Sequence, residues 1–349
     1  MKGIHLGILL AASALALYFV DELSSYWMHV AIIAMYYGIL AASWTLLAGY
    51  VGLFSLSHMA FASIGAYTSQ LLIKWYGIPI PISMAAGILM CCAVGGLIGW
   101  VCLRMSGPYL AIFTLGFSEI VRIAIATEDQ VTAGMAGLHT DPLFPDAATR
   151  LPYFYTAFAL LAVSLVLMGL LVRSRWGLFL RAIREDEQAA AASGVAVARF
   201  RILAFAIASG FAGLAGGFYA HYIPIITPSM GDLDEMAKLV VMTVIGGMER
   251  LPTAVGGAFF VEFLLEKLRD LGDSGGDIHL QVPVLGFGIE LHNFDQWRLP
   301  IFGVILLLTM RFARNGLITP FWLLFMRLGE TRAGARPAVT DLPQKDSGT

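Results

Sequence analysis

The sequence predicts an all-α, polytopic membrane protein with about ten transmembrane or re-entrant helices. Three observations carry that prediction. Hydrophobic residues make up 58% of the 349 residues and charged residues only 13%, whereas a soluble domain carries about a quarter charged residues. The mean hydropathy is +0.77. Apolar runs close to the roughly 20 residues that a spanning helix needs recur along the chain. A soluble protein of this composition would have to bury nearly every helix on all sides.

The first run, 4–20, follows Lys2. Its small-residue stretch Ala14-Leu15-Ala16 lies inside the run and not after it, so an uncleaved first span is expected. Further spans are expected at 26–48, 58–75, 79–103, 107–126, 152–172 and 201–223. The run 236–248 is too short to cross unaided and reads as a broken or re-entrant element, buried in protein where irregular backbone is tolerated. Runs 252–268 and 298–313 complete the set. Residues 1–320 thus form one transmembrane domain. Within 321–349, Phe321 to Leu328 is expected to lie along the inner interface, and the polar tail after Gly329 to be disordered.

Ten spans place both termini on one side. With the N-terminus inside, 15 of the 22 basic residues fall inside and 6 outside, and Arg122 lies within a span. The positive-inside rule therefore puts both termini, and the loop 173–201, in the cytoplasm. The inferred outer segments are acidic, for example Glu128 and Asp129, and Asp232 to Glu235.

Small residues mark where helices approach closely, because lipid offers no hydrophobic drive between them. Gly95 and Gly99 share a face with Cys91, and Ala206, Gly210, Gly213 and Gly217 recur at helical spacing. Cys91, Cys92 and Cys102 read as small packing residues. Adjacent cysteines do not suit an ordinary disulfide.

Two glycine-interrupted stretches fall between spans, one in each half. The first runs from Gly49 and Gly52 through Ser55 to His58, and the second centres on Gly246-Gly247. Paired interruptions of this kind point to a transport pathway. If the ten spans divide five and five, the halves are inverted in the membrane. The plainer reading is two tight connections that need glycine. His58 is expected to hydrogen-bond the broken backbone. Glu119 and Arg122, three apart on an apolar span, form either a structural ion pair or part of the pathway.

The longest charged interruption is 173–201. It holds six arginines, the acids Glu185, Asp186 and Glu187, the four-alanine run Ala189 to Ala192, and Gly194. Glu185 to Ser193 is expected to form a short helix, with acids at its positive end and Gly194 just past its last turn. Its alanines leave a low-relief face that a partner's groove could admit, and Arg181, Arg184 and the acids would set the partner's register by charge. A positively charged loop that only sets topology is the bland alternative.

Several chemistries find no support. A P-loop needs Gly-Lys before Ser or Thr, and none of the five lysines follows a glycine. The seven histidines show no metal-ligand spacing, and no nucleophile elbow appears. The chain is expected to be no enzyme, to hold no metal or cofactor, and to bind no nucleic acid. Hydropathy and broken helices leave open an ATPase-independent channel or a secondary transporter for a small polar solute.

Gly49, Gly52, Ser55, Leu56, His58, Phe61, Gly65, Ala66 and Tyr67 resemble the early signature of the LivM-type permeases of branched-chain amino acid ABC importers. Further matches follow in order: Gly107 to Ala111 with Thr114-Leu115-Gly116, Arg181 to Glu187 leading to Gly194, Gly213 to Gly217 with Tyr219-Ala220, then Gly246-Gly247 and Gly256-Gly257-Ala258. The resemblance covers about residues 26–318. Ser57 departs from the glycine usual there, and Thr132-Ala133-Gly134 stands where the family tends to have Thr-Gly-Gly. The 270–297 stretch looks longer than usual.

The resemblance implies a bacterial inner-membrane subunit that works with a second homologous permease, two cytoplasmic ATPases that use ATP-Mg, and a periplasmic binding protein. It also implies that the importer's coupling helix lies within 173–201. Similar permeases serve branched-chain amino acids, other amino acids, urea or amides, and aromatic acids.

Overall fold

The structure, a computed structural model, describes residues 24–105, 107–145, 149–273, 279–281, 288–290 and 303. The expected spans 4–20 and 298–313 (apart from Gly303) and the segment 321–349 lie outside the described residues. The other eight expected segments are all helical. They are α1 (Ser25–Thr45), α2 (His58–Tyr76), α3 (Ile80–Val101), α4 (Pro108–Thr127), α6 (Leu151–Arg173), α9 (Val197–Tyr222), α10 (Leu233–Gly246) and α11 (Leu251–Asp273). Three short helices complete the order: α5 (Asp129–Thr132), α7 (Arg175–Glu185) and α8 (Glu187–Ala192). A two-residue antiparallel ribbon joins Leu138–His139 to Ile225–Ile226.

Among the described residues five helices are long and apolar enough to cross a membrane, and α10 with α11 forms a sixth candidate bent by 119°. The chain is a multi-pass membrane protein. α1 sits at the centre. It is apolar on all sides, and 94% of its most apolar window is buried. A helix greasy all round belongs in a core or in lipid, and here α11, α6 and α9 surround it. By contrast only 17% of α4 and 28% of α6 is buried in the corresponding windows, so their apolar faces are left for lipid.

The small-residue faces pack as expected. α9 lies against both α2 and α3. A Cβ on Gly95 would strike Ser209, one on Gly213 would strike Cys91, and one on Gly65 would strike the Gly213 backbone. All three cysteines are free thiols, and Cys91 Sγ donates to the Phe61 carbonyl at 3.1 Å.

α1 does not end as an ordinary helix. Leu46–Val51 is π-helical and stops at Gly52, whose φ is +80°. Such π segments recur at functional sites. The chain then doubles back. Trp44 Nε1 donates to the Ser55 carbonyl at 2.7 Å, the Ser55 and Ser57 hydroxyls lie 2.8 Å apart, and Leu56 N donates to Thr114 Oγ1 at 2.9 Å. These side chains satisfy irregular backbone inside the protein, as the bilayer requires.

The short α10 also departs from a full span. Its 14 residues extend about 21 Å, less than the ~30 Å hydrocarbon core. It starts level with Tyr37, which bonds Glu235, and ends at Gly49, which abuts Met248. After the turn, where Gly247 has φ +107°, α11 runs back along the length of α1. Val255 reaches Gly38, and Lys267 Nζ stands over the Trp27 ring, 4.5 Å from its centroid. The broken or re-entrant element expected at 236–248 is therefore an element that begins part-way along α1.

Candidate functional site

Two sites emerge, one at each end of α10. The first is a junction beneath the 173–201 loop. α7 begins at Ser174, whose hydroxyl accepts from Trp176 N, and packs its Leu180 and Ile183 inward. Asp186 interrupts the helix and caps α8, accepting from Gln188 N at 2.9 Å and Ala189 N at 3.0 Å. The Val195 N bond to the Ala190 carbonyl and the +87° φ of Gly194 close the far end in a left-handed cap. The short helix expected at 185–193 is thus present, but Glu185 belongs to α7 and the acid at the cap is Asp186.

The loop's charges are largely spent within the chain. Glu187 pairs with Arg201 at 2.8 Å. Arg201 is 7% exposed and also reaches the Leu103 carbonyl at 3.2 Å and the Met105 carbonyl at 3.4 Å. Arg184 donates to the Gly49 carbonyl, and Arg181 lies over the Tyr50 ring at 5.2 Å. Arg181 and Arg184 therefore hold α7 on the π-helical end of α1. The face left open on α8 is Gln188, Ala189, Ala191 and Ala192.

The same junction unites the two glycine interruptions. A Cβ on Gly49 would fall on the Met248 carbonyl oxygen, and the nearest neighbour of Gly52 is Arg184. Gly246 closes the contact from the other side, against the Thr253 backbone. Thr253 Oγ1 ties the turn by donating to the Gly247 carbonyl at 2.9 Å. Sequence places these stretches about 200 residues apart, and the fold puts them in contact under α7.

His58 departs from expectation. It starts α2 and is fully buried; its ring is turned to the Ser43 backbone of α1, and neither ring nitrogen makes a hydrogen bond of full geometry among the described residues. The broken backbone is held instead by Trp44, Ser55, Ser57 and Thr114.

The second site is a cavity of about 250 Å³ at the start of α10. It is lined by Tyr36, Tyr37 and Tyr219 and by Asp232, Asp234 and Glu235, with Met59, Ile226 and Met230 supplying apolar surface. Arg122 bonds Glu119 within α4 through Nε at 2.9 Å and also reaches Asp232 at 3.4 Å. The Glu119–Arg122 pair is therefore a tether between α4 and the cavity rim, and both of its residues are partly open. Sequence reasoning identified Asp232 to Glu235 only as outer acids and missed the tyrosines. Tyr36 and Tyr37 sit in an apolar run with nothing to distinguish them from core residues.

Comparison with known proteins agrees with this architecture. Residues 6–310 match the family described as the permease component of branched-chain amino acid transport systems. The chain is 31% identical over 271 residues to the high-affinity branched-chain amino acid transport system permease protein LivM of Escherichia coli, covering 70% of this chain and 64% of that protein. The figures for LivM of Salmonella typhimurium are the same. A probable LivH permease protein of Methanocaldococcus jannaschii is 25% identical over 223 residues, 58% of this chain and 67% of that one. The chain thus spans about two thirds of the length of the bacterial LivM relatives. On a family match that runs from the first apolar span almost to the last, the chain belongs to the permease components of branched-chain amino acid transport systems.

Proposed function

We propose that the chain is the membrane-spanning permease subunit of an ATP-driven importer, which carries branched-chain or related amino acids handed over by a periplasmic binding protein. A second homologous permease would complete the pathway, and two cytoplasmic ATPases would use ATP-Mg. The chain itself would hold no cofactor and hydrolyse nothing. It would lie in the bacterial inner membrane with both termini in the cytoplasm, as the distribution of its arginines favours.

The observation that carries this reading is the junction beneath the 173–201 loop. A force applied to the open alanine face of α8 has two rigid routes into the membrane. One runs through Glu187 and Arg201 to the end of α3. The other runs through α7 and Arg184 to Gly49, where α1 touches the α10–α11 turn. A channel or a secondary transporter has no use for such a lever. The relatives' names as branched-chain amino acid permeases support the class of solute.

The test is uptake of labelled L-leucine, delivered by the binding protein, into proteoliposomes that hold the chain with its ATPase and permease partners. Ala191→Arg places a large charge on the open face of α8, at an exposed position. Loss of ATP-driven uptake with an intact melting profile is expected. Uptake that needs no ATPase, or that Ala191→Arg leaves undiminished, would overturn the proposal.

A further inference from the structure

The cavity at the start of α10 carries more information than a passage needs. Its charge is unbalanced. Asp232 shares Arg122 with Glu119. The partner of Glu235 is a neutral group, the Tyr37 hydroxyl. Lys238, one turn further along α10, is turned to Glu262 at 2.9 Å and covers the Tyr37 ring at 4.3 Å. Asp234 has no ion-pair partner among the described residues. The carboxylates outnumber the cations available to them in a half-enclosed space, where charge is poorly screened.

Tyr36 is an independent observation. Its side chain is 2% exposed, and it lines the cavity. Its ring packs on Tyr37 and Tyr219, with centroids at 5.0 and 4.7 Å. Its hydroxyl has no hydrogen-bond partner among the described residues, and neither has that of Tyr219. A side chain as buried as Tyr36 whose hydroxyl lacks a protein partner and lines the cavity marks a place for a polar ligand group, and the half-buried Tyr219 packed against it offers a second hydroxyl. Tyrosine rings also attract cations through their faces. Met59, Ile226 and Met230 also line the cavity and offer apolar surface for a short branched chain.

We propose that this cavity is a cation-recognition site that takes the primary ammonium group of the carried solute, between the Tyr36 and Tyr219 hydroxyls and the Glu235 carboxylate. The chain then favours ammonium-bearing solutes with an apolar tail over uncharged amides and anionic acids. This deepens the permease reading and rests on it for the word "carried". The binding chemistry stands on the cavity alone.

Three probes with the same branched tail separate the possibilities: 3-methylbutylamine (a cation at neutral pH), 4-methylpentanamide (uncharged) and 4-methylpentanoate (an anion). Each is titrated calorimetrically into the purified full-length chain in lipid nanodiscs. The amine is expected to bind about tenfold or more tighter than the other two, the scale of one charge-assisted hydrogen bond. Glu235→Gln should erase that preference. Tyr36→Phe removes only an oxygen and should weaken the amine while leaving the melting midpoint in place. Equal binding of the three probes, no binding of the amine, or an unchanged preference in both variants overturns the proposal. So does displacement of the amine by sodium ions at equal concentration, which would mark an inorganic cation site. ATP-driven leucine uptake that is normal in Glu235→Gln would sink the site and spare the permease. Amine binding without ATP-driven uptake would do the reverse.

Discussion

Gly49→Ala is the sharpest test of the junction. The added methyl would fall on the Met248 carbonyl oxygen, with the Met248 carbonyl carbon at 3.2 Å and Thr45 Cγ2 at 3.0 Å. The main obstacle is backbone, so no side-chain rotation relieves it. Either α1 or the α10–α11 turn must move, and the Gly49 carbonyl that receives Arg184 moves with it. Overpacking of this kind costs about 1–3 kcal/mol. A loss of that size lowers the melting midpoint by on the order of 5 °C. Gly116→Ala is the control. Gly116 lies within α4, and a Cβ there meets nothing within 4 Å. Helix propensity alone should make that variant neutral or more stable by up to ~1 kcal/mol. The assay is thermal unfolding of both purified variants in one detergent, followed by ATP-driven uptake. Gly49→Ala should melt early and lose uptake, and Gly116→Ala should do neither. A Gly49→Ala protein with the parent's midpoint and uptake would refute the contact between the two interruptions.

Three further outcomes follow from particular residues. Ala133 has φ +61°, where a Cβ costs roughly 1–2 kcal/mol. After the entropy that glycine adds to the unfolded chain, Ala133→Gly should stabilise the protein by about 0.5–1 kcal/mol, read as a higher melting midpoint. Asp186→Ala removes the cap of α8 and should cost ~1 kcal/mol of local stability, seen as faster amide exchange at Gln188 and Ala189 with weaker stimulation of the partner ATPase. Arg201→Lys keeps the charge but cannot hold Glu187, Leu103 and Met105 together. A fall of about 1–3 kcal/mol is expected from the part-buried carbonyls it abandons, measured by thermal unfolding in detergent.

The distribution of residues along the chain was enough for the class, the family and the eight helical segments that fall within the described residues. Apolar runs near 20 residues have one stable setting, and the bilayer imposes it on each run separately. Small-residue spacing marked the close-packing faces of α3 and α9 for a similar reason, since glycines one turn apart lie on one helix face. The cap of α8 was legible too, because a cap is a matter of residues a few places apart. It was misplaced by about a residue because Glu185 and Asp186 are both acids and only Asp186 has the short side chain that bonds back to Gln188 and Ala189.

What lay beyond the sequence was everything that depends on distance through space. Charges in 173–201 read as signals to a partner, yet Arg181, Arg184, Glu187 and Arg201 are held by Tyr50, Gly49 and the end of α3. His58 read as a residue that bonds the broken backbone, and the fold turns it instead to Ser43 within α1. Tyr36, Tyr37 and Tyr219 read as core. They became a cavity wall only when α10 began part-way along α1 and carried Glu235 to them. Hydropathy is a property of each segment and is decided locally. The meeting of Gly49 with Met248, and of Tyr37 with Glu235, is decided by how deep a half-length helix sits beside a full one, and only the packed structure sets that depth.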